Sequence, residues 1–403
     1  MMEAAAARRF GYGEIRCFTG LRGCAAVMVM LYHFTLNMHD AADTLSDANT
    51  MTMARQFLLH GYLWVDLFFV LSGFVMAYSQ PSLCSGGYRA RSHVTFLMSR
   101  FARIYPLYAI VLIESACFAF WRAPTDFLQL TRTFALNVMM VQAWGLAPSM
   151  EGAAWSISTE WAAYLVFPFL LMAVVSAHRW IATIVAAGAL LVILYLSLSS
   201  GPFGSAEEAR NGPLDIYSHE TIAPLFRCLS EFTLGLVAYR LARFVTQQPR
   251  NWTGPLAMLT GLAIAGGLCL PGSDFCIVGL FVVLLVSLAP EMGLMADLLG
   301  ARVPYLLVQW SYSIYLLHDN LSHPAASFRA MLADHVPGAS LIATVLVVCF
   351  VIAAGAATFT WVERPLRKWL LESFRPWRGP KPNTPAAAMA IPGGPGRGYE
   401  TSR

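Results

Sequence analysis

The sequence alternates long apolar stretches with short polar connections. A helix needs about 20 mostly apolar residues to cross the hydrocarbon core of a bilayer, and windows of that length recur about ten times. The pattern therefore predicts an all-α fold, a polytopic membrane helical bundle with about ten transmembrane helices. The predicted spans are 18–38, 57–79, 104–122, 152–175, 180–199, 222–244, 254–271, 274–293, 303–320 and 339–361.

The segment 127–144 leaves the number of spans open. It is apolar enough for an interfacial or re-entrant helix, and as an eleventh span it would invert the orientation of everything that follows it. The distribution of basic residues tests the ten-span topology, because Lys and Arg accumulate in cytoplasmic loops. With the N-terminus inside, 20 of the 27 Lys and Arg residues fall on the inner side and five on the outer side, while Arg22 and Arg227 lie within spans. We expect both termini to be cytoplasmic.

The sequence divides into a membrane domain and a tail at each end. Residues 1–17 are predicted to be a cytoplasmic N-terminal tail, because no signal-peptide cleavage site follows a short apolar core. Residues 18–370 form the membrane domain. Residues 371–403 are rich in Pro and Gly, lack apolar periodicity, and are predicted to be a disordered cytoplasmic tail.

Composition supports a membrane protein and narrows its partners. The chain is 57% hydrophobic and 12% charged, with a mean hydropathy of +0.56, and soluble domains carry about 25% charged residues. The net charge of +4 is scattered over the connections, so we expect a lipid bilayer and no nucleic acid as partner. The eight cysteines contain no Cys-x-x-Cys pair, which disfavours a metal site. Cys269 and Cys276 bracket a turn, where a disulfide would form only in an oxidising compartment.

The first predicted span carries the most informative pair of ionisable residues, Arg22 and His33. At about 100° per residue, their separation is within roughly 20° of three full turns, so they share a helix face about 16 Å apart. Ionisable groups inside a membrane are costly and indicate function by default. The alternatives are an arginine that reaches the interface and a histidine that bonds a neighbouring hydroxyl.

His33 is a candidate general base. Burial away from water favours the neutral imidazole, which can accept a proton from a hydroxyl that attacks an acyl carbonyl. A carboxylate at similar depth could orient the ring, and the two candidates are Glu160 and, in reserve, Asp66. A helix-packing hydrogen bond is the alternative role for each.

Arg100 and Arg103 lie one helical turn apart at the predicted inner end of the third span. With Arg22 they suit a donor that carries phosphates, because a guanidinium group bonds phosphate oxygens in pairs. Anchoring at the membrane surface is the alternative. Arg227 and Glu231 are spaced four residues apart, which favours an intrahelical ion pair without a catalytic role.

Six motifs in order resemble the acyltransferase-3 family of membrane acyltransferases, from about Gly20 to Trp369. They are Arg22-x10-His33, Val65–Phe74 (Val-Asp-Leu-Phe-Phe-Val-Leu-Ser-Gly-Phe), Arg100-x-x-Arg103, Trp155–Glu160 (Trp-Ser-Ile-Ser-Thr-Glu), Ser311–His318 (Ser-Tyr-Ser-Ile-Tyr-Leu-Leu-His) and Glu363-Arg364-Pro365. Ile157 stands where the family pattern has Leu.

The resemblance implies transfer of a small acyl group, commonly acetyl, from cytoplasmic acyl-CoA to a glycan, a lipid-linked sugar or a hydrophobic small molecule. It implies no permanently bound cofactor, essential roles for Arg22 and His33, and a location in the bacterial inner membrane. Trp155, Ser156, Tyr315 and His318 are predicted to bind the acceptor or to serve the structure. A proton-coupled transporter that uses the buried His, Asp and Glu residues is the alternative function, and an assembly scaffold without acyl transfer is a third. The acceptor, the acyl length and the oligomeric state stay open.

Overall fold

A computed structural model describes residues 14–42, 53–80, 83, 87–122, 127–199, 211–216, 221–246, 251–333 and 339–374. These residues are almost entirely helical and contain no β-strand. The all-α prediction is therefore confirmed for the described chain. Most of the predicted tails, 1–17 and 371–403, lie outside the described residues.

Fourteen α-helices are numbered here in chain order within the described residues. They are α1 (Arg16–Ala42), α2 (Met53–Leu59), α3 (Leu63–Ser79), α4 (Ala90–Arg122), α5 (Phe127–Val138), α6 (Trp155–Leu171), α7 (Arg179–Leu198), α8 (Ala223–Val245), α9 (Thr253–Gly267), α10 (Asp274–Leu288), α11 (Leu294–Leu299), α12 (Arg302–Ala333), α13 (Ala339–Thr358) and α14 (Arg364–Ser373). Short 3₁₀ turns precede α3 and α6, and single π-turns follow α6 and α13.

A helix lies at each of the ten predicted spans, but six helical segments in the described residues are long and apolar enough to cross a membrane. They are Arg16–Leu36, Met53–Ser79, Ala90–Arg122, Gly152–Ser176, Arg179–Leu198 and Ile342–Ser373. Helices α9 and α10 are apolar but have 15 residues each. The membrane-protein prediction holds at this coarser level, and the number ten stays a prediction.

The ambiguous segment 127–144 forms a short helix and then a series of turns. Helix α5 has 12 residues, which rise about 18 Å and fall short of a hydrocarbon core of about 30 Å. The buried side chain of Asn137 donates to the carbonyls of Thr133 and Pro148 and accepts from the Met150 amide. This network folds the chain back onto α5, as expected of either an interfacial or a re-entrant helix.

Glycines allow the central helices to approach closely. A β-carbon at Gly73 of α3 would lie 2.0 Å from the Phe232 carbonyl oxygen, and one at Gly235 of α8 would lie 1.9 Å from the Val70 oxygen. A β-carbon at Gly20 of α1 would lie 1.7 Å from the Leu299 oxygen at the end of α11. Helices in membranes associate through such small residues because van der Waals contact replaces the hydrophobic driving force.

A buried ion pair also joins α3 to α8. The Arg227 guanidinium donates from Nε to Asp66 Oδ1 over 2.7 Å and makes a second contact from Nη2 to Asp66 Oδ2. Its Nε lies 3.7 Å from Glu231 Oε1 within α8. The predicted intrahelical contact is thus present, but the principal partner of Arg227 is Asp66 on another helix.

Cys269 and Cys276, which were candidates for a disulfide, carry free thiols. Cys269 Sγ contacts the Ala265 and Met53 carbonyl oxygens instead. The turn between α9 and α10 is therefore held without a disulfide.

Candidate functional site: two cavities and a histidine pair

Two adjoining cavities open within the bundle. The large cavity has a volume of about 530 Å³ and lies between the first half of α1, the end of α3, the first part of α12 and the start of α14. The small cavity has a volume of about 80 Å³ and lies between α3, α4, α6 and α12. Both are lined by Arg22, Arg103 and Tyr312, so the three side chains form the boundary between them.

The three predicted donor-binding arginines come together at this boundary. Arg22, Arg100 and Arg103 all line the small cavity, although they lie on two helices. The Arg100 Nε is buried and has no hydrogen-bond partner among the described residues. A buried donor without a partner is costly unless a ligand satisfies it, so this side chain is suited to an incoming anion.

Glu160 is placed among the arginines and not beside His33. It accepts hydrogen bonds from Ser72 Oγ at 2.7 Å and from the Tyr164 hydroxyl at 2.6 Å. Ser72 Oγ in turn accepts from Arg22 Nη2 at 3.1 Å. This chain of bonds fixes the direction of the Arg22 side chain. Of the described residues that line the small cavity, Glu160 is the single carboxylate against three arginines, so the cavity favours an anionic ligand.

The large cavity adds a basic residue that the sequence analysis did not select. Arg367 of α14 lines it together with Arg22 and Arg103. Two carboxylates, Glu14 and Glu363, line the same cavity. The buried Glu363 accepts from Ser313 Oγ of α12 at 2.7 Å, which ties the start of α14 to the bundle. The available signal was the basic run that begins at Arg364, directly after an apolar helix.

His33 of α1 faces His318 of α12. His33 Nδ1 lies 3.2 Å from His318 Nε2, and the ring centroids are 4.6 Å apart. His33 Nδ1 is also 3.0 Å from the Val29 carbonyl oxygen, and His318 Nδ1 is 2.5 Å from the Tyr315 carbonyl oxygen. His318 is fully buried and His33 is half-buried.

The carbonyl contacts determine where the protons of two neutral rings lie. A carbonyl oxygen can only accept, so each Nδ1 must carry a hydrogen. His318 Nε2 then bears a lone pair, and the one hydrogen on His33 Nδ1 is shared between this nitrogen and the Val29 oxygen. His33 Nε2 is left with a lone pair as well, and a nitrogen in this state can take a proton.

The predicted orienting carboxylates therefore lie elsewhere. In the described part of the chain neither Glu160 nor Asp66 is hydrogen-bonded to His33, because Glu160 bonds Ser72 and Tyr164 while Asp66 bonds Arg227. The sequence places both carboxylates at a depth similar to that of His33, but depth alone does not determine which neighbouring helix a side chain faces. The group that contacts His33 Nδ1 is the neighbouring imidazole.

The remaining predicted residues divide between the cavity and the packing. Ser156 Oγ and the Tyr315 hydroxyl are 2.7 Å apart, and both residues line the small cavity. The Tyr315 ring lies 5.6 Å from the His318 ring, centroid to centroid. Trp155 packs edge-on against Phe69 and lies beneath the Arg227 guanidinium, so it belongs to the packing around the ion pair.

Helix α12 connects these features in order. Val308 and Gln309 line the large cavity, Tyr312 lies at the boundary, Tyr315 lines the small cavity and His318 follows one turn later. The described residues include no group of three or more His, Cys, Asp or Glu side chains arranged to hold a metal ion. The site thus has guanidinium groups at one end and two neighbouring imidazoles at the other.

Comparisons with known proteins identify acyltransferases as relatives. The chain is 28% identical over 380 residues to the acyltransferase MdmB of Streptomyces mycarofaciens, covering 87% of this chain and 91% of that protein. It is 34% identical over 103 residues to protein 2 in the picA locus of Rhizobium radiobacter, covering 25% of this chain and 42% of that protein. No solved structure matches the chain significantly.

A family model described as an acyltransferase domain matches residues 15–361. This range includes the histidine pair, the small cavity and all of the large cavity except Glu14, Glu363 and Arg367. A match over nearly the whole chain assigns the family. The protein belongs to the acyltransferase-3 family of membrane acyltransferases.

Proposed function

We propose that this protein transfers an acyl group, acetyl in the first instance, from cytoplasmic acyl-CoA to a hydroxyl group of a glycan, a lipid-linked sugar or a related acceptor. The observation that carries the proposal is the histidine pair, which lies one aromatic ring beyond a cavity lined by three arginines. Acyl-CoA is a co-substrate, and the chemistry requires no permanently bound cofactor.

The arginines bind the donor. Arg22, Arg100 and Arg103 present planar donor groups that pair with phosphate oxygens, and Arg367 adds a further guanidinium in the large cavity. The large cavity falls in the size range of pockets for organic ligands, about 300–1,000 Å³. The nucleotide part of acyl-CoA occupies the large cavity, and the thioester reaches past Tyr312 toward His318.

His33 acts as the general base. Its Nε2 takes the proton of the acceptor hydroxyl while the hydroxyl oxygen attacks the thioester carbonyl carbon. The carbon–sulfur bond breaks, and the CoA thiolate leaves with the bonding electron pair. The imidazolium then returns the proton to the thiolate, so the products are the ester and free CoA thiol.

The other polar residues position these groups. Glu160 holds Arg22 through Ser72, Asp66 holds Arg227, and His318 keeps the His33 Nδ1 hydrogen in place. His318 is thus a positioning residue and His33 the catalytic residue. The arginines lie toward the predicted inner ends of α1 and α4, so the donor enters from the cytoplasm of a bacterial inner membrane and the acceptor approaches from the outer side.

The first test is His33→Ala in purified protein reconstituted into vesicles. We expect the release of CoA thiol in the presence of an acceptor to fall about 10²–10⁴-fold, the usual contribution of a general base. Acyl-CoA binding and the unfolding temperature should stay at wild-type values. The control is His178→Ala, since His178 is exposed in the connection before α7 and should not affect the rate. Full activity of His33→Ala would overturn the proposal.

The second test separates positioning from packing at His318. Gln places an amide oxygen near the location of Nε2 and can still accept from His33 Nδ1, whereas Leu cannot. We expect His318→Gln to retain most of the acyl-transfer rate and His318→Leu to lose most of it, while both variants keep the wild-type unfolding temperature. Equal rates in the two variants would exclude a role for this hydrogen bond.

A further inference from the structure

One end of the small cavity is apolar. Val65, Phe68 and Phe69 of α3 line it, and Ile157 of α6 lies across from them. Val65 and Phe69 are buried, and Phe68 is half-buried. The end carries no charge of its own, in contrast to the arginine boundary.

The geometry of α3 places this apolar end away from the large cavity. Leu71 and Val75 of the same helix line the large cavity, and Ser72 holds Arg22 at the boundary. At 1.5 Å per residue, Val65 lies about 10 Å beyond Ser72 along the helix axis. A donor that passes along α3 from the large cavity through the arginine boundary would therefore reach Val65 last.

The two cavities differ widely in size. The large cavity measures about 530 Å³ and the small one about 80 Å³. Pockets that hold organic ligands usually measure about 300–1,000 Å³, so the small cavity has room for only a short group. Core side chains in contact resist expansion, because extra methylenes in a packed interior force side chains out of their preferred rotamers.

The Tyr315 ring is close both to this apolar end and to the His318 ring. The Phe68 ring is 6.1 Å from the Tyr315 ring, and the Tyr315 ring is 5.6 Å from the His318 ring, centroid to centroid. The Ser156 and Tyr315 hydroxyls close the cavity here at 2.7 Å from each other. A thioester carbonyl near this point would direct its carbon chain into the apolar end of the small cavity.

We propose that Val65, Phe68 and Ile157 form the subsite for the acyl chain, and that their bulk limits the transferred group to two or three carbons. The inference rests on the proposed function, since it requires an acyl donor. It assigns the choice of acyl length to the wall contributed by α3, separately from the arginines that bind the nucleotide.

The test compares Val65→Ala with Val75→Ala. Both changes remove the same atoms from α3, one at the apolar end of the small cavity and one in the large cavity. The measurement is the ratio of kcat/KM for butyryl-CoA to that for acetyl-CoA, from the release of CoA thiol with an acceptor. One methylene in an apolar pocket changes this selectivity about 10–200-fold, so we expect Val65→Ala to raise the ratio at least about tenfold.

Val75→Ala should leave the ratio at the wild-type value, because any effect on CoA binding applies equally to all acyl groups. Phe68→Leu and Ile157→Val are the further variants if Val65→Ala does not fold, and either should raise the ratio. An unchanged ratio in the folded variants, or an equal rise in Val75→Ala, would overturn the subsite. Absence of acyl transfer from every acyl-CoA by the wild-type protein would instead overturn the proposed function.

Discussion

At the scale of single residues, Arg227 and Asp66 form a buried ion pair. Their side chains are 1% and 0% exposed, and the guanidinium makes two contacts to the carboxylate. Removing two charges from water costs several kcal/mol each, and only close pairing offsets this cost. The pair therefore fixes the register of α3 against α8 and, with it, the positions of Ser72 and Trp155.

We predict that Arg227→Met destabilises the protein by about 3–5 kcal/mol, because it leaves the Asp66 carboxylate buried without its partner. The double variant Asp66→Leu, Arg227→Met should recover much of this loss, since it removes both charges. Thermal unfolding in detergent micelles measures both effects. A single variant as stable as wild type would contradict a stabilising role for this pair.

Helix periodicity predicts which site residues share a face of one helix, but it does not predict contacts between helices. The shared face of Arg22 and His33 follows from their spacing, and both side chains point into the bundle as expected. The partner of His33 could not be predicted, because the contact joins residues 285 positions apart. Depth in the membrane suggested Glu160, but only the packing of α6 against α3 determines that Glu160 bonds Ser72.

At the scale of helices, the crossing of α3 and α8 depends on two glycines. Gly73 and Gly235 bring the helix backbones together where any side chain would overlap a carbonyl oxygen. This crossing sets the wall of both cavities, since α3 contributes residues to each. A change in the crossing would therefore alter the donor site without touching an arginine.

We predict that Gly235→Ala lowers the free energy of unfolding by about 1–3 kcal/mol or more, the usual cost of overpacking a core. Gly188→Ala in α7 is the control, because a β-carbon there meets no atom within 4 Å. Alanine is the better helix former, so this control should be neutral or about 0.5–1 kcal/mol more stable. Unfolding in urea or by heat measures the difference, and equal stabilities would contradict a steric role for Gly235.

Helix positions could be predicted better than helix lengths. The fourth helix begins at Ala90, well before the predicted span at 104, and α12 continues to Ala333, beyond the predicted end at 320. Hydropathy detects only the apolar part of a helix, whereas hydrogen bonding continues through polar turns. Charged residues have a similar effect on α8. The apolar pattern predicts a span there, but Arg227, Glu231 and the arginines near its end leave α8 outside the six helical segments that are apolar enough to cross a membrane.

For the whole molecule, the excess of basic residues on one side predicts the orientation in the membrane. In cysteine-depleted protein, Pro271→Cys lies in the turn between α9 and α10, and His178→Cys lies between α6 and α7. We expect a membrane-impermeant thiol reagent to label position 271 from outside intact cells and position 178 only after permeabilisation. The reversed pattern would place the arginine cavity on the outer side and remove cytoplasmic acyl-CoA as the donor.

The proton arrangement of the histidine pair depends on peptide groups of α1 and α12. The oxygens that hold the two Nδ1 hydrogens belong to Val29 and Tyr315 as main-chain atoms, so replacing either side chain leaves them in place. Evolution can therefore remodel the shape of the wall at position 315 to suit a new acceptor while the basic nitrogen of His33 keeps its lone pair. The choice of acceptor and the proton arrangement of His33 can therefore change independently of each other.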